Sequence, residues 1–372
     1  MEMETTGRDR NDNVGVRSVG IQVETEEIST RQELTMEAAD NVLKSVSPLI
    51  NSMKLFGLHF ARQPREDPSD SSQPSWRSLG RCQGWTPTRI YATIILLVIW
   101  INAVRYYLVF DGIDTLGVEM LIKLGLMANV LLIVVLQTAY YVASHTGSLD
   151  RVFRQANLPT AEFCPKYSRR AKVLTIVCWL LVAFCTSCYI FPMFTSRQHA
   201  DETLLIFINT FHLSTPYSEI LSAISAVLEL QLAASLVFPQ AMNYIVVSLL
   251  CDQFNKLNEE FSKCIGGQGE FNGNFEQFRR RHQAISHSVQ EADRFLMISN
   301  VACFCCHMLG IIVVFFCSVF YRHETVLYGA AGAFMYSLYL VMNIFGLLLA
   351  TGLAIIVNNK VIIYYCYCCC YY

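Results

Sequence analysis

Charge is scarce in this chain and favours neither sign. Asp, Glu, Lys and Arg make up 16% of 372 residues and leave a net charge of -2, so there is no basic field for nucleic acid and no acidic tail. The first 40 residues lack the apolar core of a secretory signal peptide. No Gly-rich phosphate loop, metal-ligand pair on one helix, or nucleophile with a base at motif spacing is present. His282 and His287 are five apart and do not share a helix face. Neither an enzyme nor a cofactor is expected. Cysteine is plentiful, at fifteen, yet it is missing from three short, charge-poor loops. That excludes an extracellular disulfide framework. Cys303, Cys305, Cys306 and His307 resemble metal ligands at first. On a helix, however, 305 leaves the face shared by the other three, and small apolar packing residues are the expected reading.

What fills the chain instead is apolar sequence. Hydrophobic residues make up 53% of it, and long runs cover 89–110, 121–144, 172–194, 220–249, 297–321 and 326–357. Each reaches the roughly 20 residues that cross about 30 Å of hydrocarbon as a helix. The expected fold is therefore an all-α integral membrane protein with six recognisable transmembrane helices. Basic residues collect in alternate aqueous segments, for example Arg77 and Arg81, then Arg169 and Arg170, then Arg279, Arg280 and Arg281. The intervening loops are nearly bare. Positive residues stay in the cytosol, which predicts a cytosolic amino end, opposite to a G-protein-coupled receptor. Asp293-Arg294-Phe295 imitates a triplet of those receptors but precedes the fifth run and is discounted.

The chain divides further. Residues 1–40 read as a disordered cytosolic tail. Within 41–87, Val42, Val46, Leu49, Met53 and Phe56 recur at helical steps, predicting an amphipathic helix at the inner membrane face or against the bundle. A Pro- and Ser-rich linker follows. Transmembrane helices one to four occupy 88–250. Periodicity then continues through Leu250, Phe254, Leu257, Phe261 and Ile265, and resumes at Phe275, Phe278, Ile285, Val289, Ala292 and Leu296. That predicts a cytosolic helical hairpin over 251–296, whose apolar seam needs other helices or other subunits to cover it. Helices five and six take 297–358. Pro239 is expected to kink the fourth helix.

Several segments resemble the arthropod gustatory receptors. Pro48-Leu-Ile-Asn-Ser-Met-Lys-Leu-Phe-Gly-Leu-His-Phe60 looks like their amino-terminal signature. Leu249-Leu-Cys-Asp-Gln-Phe-Asn-Lys-Leu-Asn258, Phe278-Arg-Arg-Arg-His-Gln-Ala-Ile285 and Ala292-Asp-Arg-Phe295 are similar to their cytosolic part. Ala350-Thr-Gly-Leu-Ala-Ile-Ile-Val-Asn358 resembles the end of their sixth helix. The resemblance covers about residues 41–360. It implies a seven-helix subunit, related to insect odorant receptors, of a tetrameric ligand-gated cation channel. Its partners would be a small-molecule tastant, the lipid bilayer and other receptor subunits in a homo- or hetero-tetramer, with no nucleic acid. Its location would be the plasma membrane. The family's seventh helix has a Thr-Tyr, five apolar residues and Gln. Here Thr351 and Asn358 have that spacing, but Gly352 replaces the Tyr and Asn358 the Gln. The Tyr/Cys-rich residues 359–372 are too short to span a membrane, and a truncated product lacking the pore helix is expected. The competing reading makes Cys366, Cys368, Cys369 and Cys370 a juxtamembrane palmitoylation cluster.

Polar groups inside a bilayer are functional candidates. Asn129, Tyr189, Glu229, Gln231 and Tyr336 fall at depths suited to an outward-facing ligand pocket for a sugar, a bitter compound or a metabolite. The function expected is a gustatory-type chemosensory receptor. The alternative is a secondary transporter of a small solute, against which stands the lack of a detectable internal repeat.

Overall fold

Apolar sequence of this length can satisfy its own backbone only as helix when water is excluded. The computed structural model describes residues 41–60, 86–108, 118–155, 160–195, 219–265, 270–320, 337–352 and 355. Among these, the regular elements are all helical. A single bridge between Ile265 and Phe271 is the only β pairing. After a helical turn at 41–45 come α1 (Ser47–Leu55), α2 (Pro87–Leu108), α3 (Val118–Thr146), α4 (Ser148–Gln155), α5 (Thr160–Thr195), α6 (Glu219–Lys263) and α7 (Phe275–Phe320). A shorter apolar helix, α8, spans Ser337–Gly352. Five helices, α2, α3, α5, α6 and α7, contain stretches long and apolar enough to cross a membrane. The sixth apolar run is described only as α8. The tail at 1–40, most of the linker and the residues 359–372 lie outside the described residues.

α3 and α6 run parallel at the centre. Ile133 and Val134 meet Leu232 near one end, and Tyr140 meets Asn243 further along. α7 is antiparallel to α3: Gly125 faces Val313, while Leu132 and Leu136 pack on Cys303. α5 lies along α6 and α2 along α3, with α1 between α5 and α6. α6 is the most enclosed of the five, with 72% of its apolar stretch buried against 17% for α2 and α5. The outer helices turn Ile94, Leu97, Ile101, Ile176, Leu180 and Phe315 outward. In water these faces would form a large apolar patch; against lipid they are in their proper solvent.

The amphipathic stripe at the amino end is sunk into this bundle. Val46, Leu49 and Met53 are fully buried and join Tyr140, Tyr167, Phe238 and Met242 in the largest core cluster. Burying such side chains stabilises by roughly 1.5–3 kcal/mol each. The stripe breaks at Gly57, whose φ of +65° suits a residue without Cβ. There the chain turns back, with Leu58 N donating to Met53 O.

One boundary differs from the sequence expectation. α5 begins at Thr160, ahead of the expected 172. Its polar first turns are held by Lys166 and Tyr167, which contact Asp252 of α6 at 2.7 and 2.8 Å. α6 and α7 have 45 and 46 residues, each about 68 Å at 1.5 Å per residue, more than twice the hydrocarbon thickness. α6 runs through Pro239 without interruption.

Where they meet, α6 and α7 form a hairpin that closes part of its own seam. Phe261 lies 5.5 Å from Phe278 and 5.1 Å from Phe271, and Leu257, Phe261 and Phe278 are all buried. The turn folds Phe271 back over the tip, with Asn272 N donating to Cys264 O at 2.7 Å. Arg281 clasps Glu260 across the hairpin. α4 is held near its amino end: Asp150 faces His59 at 3.7 Å, and Arg151 reaches Glu291 of α7 at 3.4 Å.

Candidate functional site: polar groups inside the apolar bundle

A polar side chain in hydrocarbon must find a partner or stay costly. Among the described residues, the bundle contains three such clusters. The first lies at the end away from the hairpin and joins α3, α7 and α8. Asn129 Nδ2 donates to the Tyr339 hydroxyl at 2.8 Å, and that hydroxyl donates to the Gly125 carbonyl at 3.0 Å. Four residues along α8, Asn343 Nδ2 donates to the Tyr339 carbonyl at 2.8 Å. That bond fixes which end of the amide is which, so Asn343 Oδ1 accepts from His307 Nδ1 at 3.1 Å. The lone pair of a neutral His307 then resides on Nε2, against Gly346. A Cβ at Gly310 would come within 2.5 Å of Asn343 Oδ1, and one at Gly346 would overlap the His307 ring. The two glycines are what let the His–Asn pair fit between the helices.

The second cluster lies deeper. The Tyr140 hydroxyl is 2.5 Å from Asn243 Oδ1 and 3.0 Å from the Pro239 carbonyl. Asn243 Nδ2 reaches Ser299 Oγ of α7 at 3.4 Å. Gln240 donates to the Cys303 sulfur, which gives that cysteine a packing and hydrogen-bonding role.

The third cluster grips the amino-terminal turn. Gln137 Nε2 donates to the carbonyls of Phe56 and Gly57 at 3.2 and 3.1 Å. Gln231 Nε2 donates to the same Phe56 carbonyl at 2.9 Å and to Ser235 Oγ at 3.2 Å. The Phe56 ring stacks on Phe238 at 5.5 Å and meets Trp179 at 5.4 Å.

The candidates named from sequence are thereby separated. Asn129 belongs to the first cluster and Gln231 to the third. Glu229 is half-buried and has an interaction partner; two residues from Gln231, it projects from the opposite side of α6. Tyr189 is on α5, but its side chain lies outside the described residues, as does Tyr336 altogether. Cys305 is exposed while Cys303 is buried, so Cys305 lies off the face that carries Cys303 and His307. Among the described residues, no group of three His, Cys, Asp or Glu could hold a metal ion.

Sequence reading passed over Gln137, Asn243, Tyr339 and Asn343, and took His307 only as a packing neighbour of cysteines. The usable signals were Gly310 and Gly346, each one turn from a polar residue within an apolar run. Chemically, the first two clusters exchange hydrogen bonds between neighbouring helices. They offer no acid–base or nucleophilic arrangement. No protein-family model matches the chain, and no curated protein matches it.

Proposed function

We propose that this chain is a receptor subunit of the gustatory type, a multi-pass plasma-membrane protein with six membrane helices described by its sequence and a cytosolic amino end. It binds a small organic tastant in the outer half of the bundle and contributes to a ligand-gated cation channel; it is not an enzyme. The observation that carries the reading is the cluster of Asn129, Tyr339, Asn343 and His307, placed between three helices at the end away from the hairpin. A hydroxyl-bearing ligand could take over one of these bonds, and a helix arrangement that binds it better would become more populated. The sequence resemblance to gustatory receptors supports the same reading.

Whole-cell current tests it, in cells expressing the chain alone and with other receptor subunits and challenged with sugars and bitter compounds. A ligand-evoked cation current lost in Asn129→Leu is expected. Solute uptake without current would favour a secondary transporter. An amino-terminal epitope that antibodies reach in intact cells would overturn the orientation.

A further inference from the structure

Asn129, Asn243 and His307 answer partners on neighbouring helices, but Gln137 and Gln231 answer a segment too short to span. Helix α1 has nine residues, about 14 Å, against roughly 30 Å of hydrocarbon. A helix of that length is not stable by itself, and its turn carbonyls can sit at membrane depth only inside protein. The groups that receive it stand on helices long enough to satisfy their own backbone across hydrocarbon. Gln137, Trp179, Gln231 and Phe238 all lie in stretches of α3, α5 and α6 long and apolar enough to span. The segment thus depends on the three helices for its place, whereas each of them is long enough to span without it.

The socket is specific in its chemistry. Two amide N–H groups converge on the Phe56 carbonyl, one also reaches the Gly57 carbonyl, and Phe238 with Trp179 encloses the Phe56 ring. The Trp179 indole donates to Ser52 Oγ at 3.1 Å, and the Tyr91 hydroxyl donates to the Leu55 carbonyl at 2.6 Å. One group is left over. Gln137 is fully buried, and its Oε1 has no hydrogen-bond partner. The seated state carries the penalty of that bare oxygen, whereas an occupant bringing an additional N–H or O–H would remove it.

We propose that Gln137, Gln231, Trp179 and Phe238 form a recognition site for an aromatic side chain flanked by successive peptide carbonyls, with Phe56–Gly57 as its resident occupant. The occupant leaves and returns while the bundle stays folded, so a free peptide of the same chemistry competes with it. This inference does not depend on the receptor reading.

The test uses the full-length protein in detergent micelles and a synthetic peptide with the sequence of residues 53–59. Hydrogen exchange should be at least about tenfold faster at residues 55–58 than at the centre of α3, as local opening without global unfolding requires. Added peptide should accelerate it further in a concentration-dependent way by holding the socket. Labelled peptide should also bind Phe56→Ala at least about tenfold more tightly than the unaltered chain, and Trp179→Ala in that background should abolish binding. Equal exchange in the turn and in α3, or exchange indifferent to peptide, would overturn the proposal. The exchange arm needs no variant, so it decides even where Phe56→Ala fails to fold.

Discussion

Gly346→Ala should destabilise this protein, although alanine is the better helix former. The new methyl would lie 2.6 Å from Cε1 and 2.8 Å from Cδ2 of His307, and would overlap Nε2, where packed carbons prefer about 3.5–4.0 Å. The ring has little freedom to yield: His307 is 6% exposed and tied through Nδ1 to Asn343, itself 2% exposed. Overpacking of this kind costs about 1–3 kcal/mol, and displacing the ring forfeits an interhelical hydrogen bond worth about 0.6 kcal/mol in a membrane protein. Against that stands a gain of about 0.5–1 kcal/mol from replacing a helical glycine. The net expectation is a loss on the order of 1–3 kcal/mol. In a His307→Ala background the obstacle is gone, and the same substitution should stabilise by up to about 1 kcal/mol. The signature is a change of sign between backgrounds, read by equilibrium unfolding in mixed micelles with all four proteins of the cycle. The same sign in both backgrounds would refute the interlock.

Other perturbations have defined outcomes. Gly57→Ala forces a side chain into φ +65° with a Cβ 3.2 Å from Ala92 Cα and Ile95 Cβ; a loss of about 1–2 kcal/mol is expected in the same assay. Asp252→Asn removes the charge met by Lys166 at 2.7 Å and Arg170 at 3.5 Å. It should lower stability by about 1–2 kcal/mol, with an effect that shrinks as salt rises, and a salt-independent loss would contradict an ionic origin. Burial beside Phe254 holds the His282 imidazole below its ordinary value of 6.5. Its contribution is thus present above pH 6.5 and lost as pH falls through the lower folded value. His282→Phe should flatten the acid side of the stability profile, and an unchanged profile would exclude this residue as its source. Glu276, hydrogen-bonded by Arg279 and then Arg280, is held down at about 2 from 4.5. Any contribution is present above pH 4.5 and lost as pH falls through about 2. Its carboxyl carbon shift should report an ionised group at about pH 3, and a protonated one there would refute the pairing.

Helical periodicity was the most readable property of this sequence. The stripes from Leu250 to Ile265 and from Phe275 to Leu296 carry past the apolar runs, and so do the helices. Val42, Val46, Leu49, Met53 and Phe56 could be chosen as one face, and all five are buried. The start of α5 was hidden because Lys166, Arg169 and Arg170 look like loop to a hydropathy scan, yet their helix is stabilised by a carboxylate on α6 far along the chain. The polar clusters were harder still. Asn129 stood out as an amide in an apolar run, but its partner Tyr339 is 210 residues away, and no local pattern announces such a pairing. Glu229 drew attention by its charge, while the neutral Gln137 and Asn343, which organise two of the clusters, did not. Composition marks costly side chains, whereas their usefulness depends on which helix arrives beside them.

The position of α1 imposes an order on synthesis. The segment leaves the ribosome before the helices that hold it, and Gln231, which grips its turn, follows Phe56 by 175 residues. At about 5–20 residues per second, that is an interval of about 9–35 s in which Leu49, Met53 and Phe56 have no completed socket. Three of the five long apolar helices, α2, α3 and α5, and the start of a fourth, α6, are synthesised before this hydrophobic stripe can settle among them. During that time the nascent protein has an apolar face for which its own fold provides no cover, so the amino-terminal end that looks like the beginning of the structure is among the last parts to be finished.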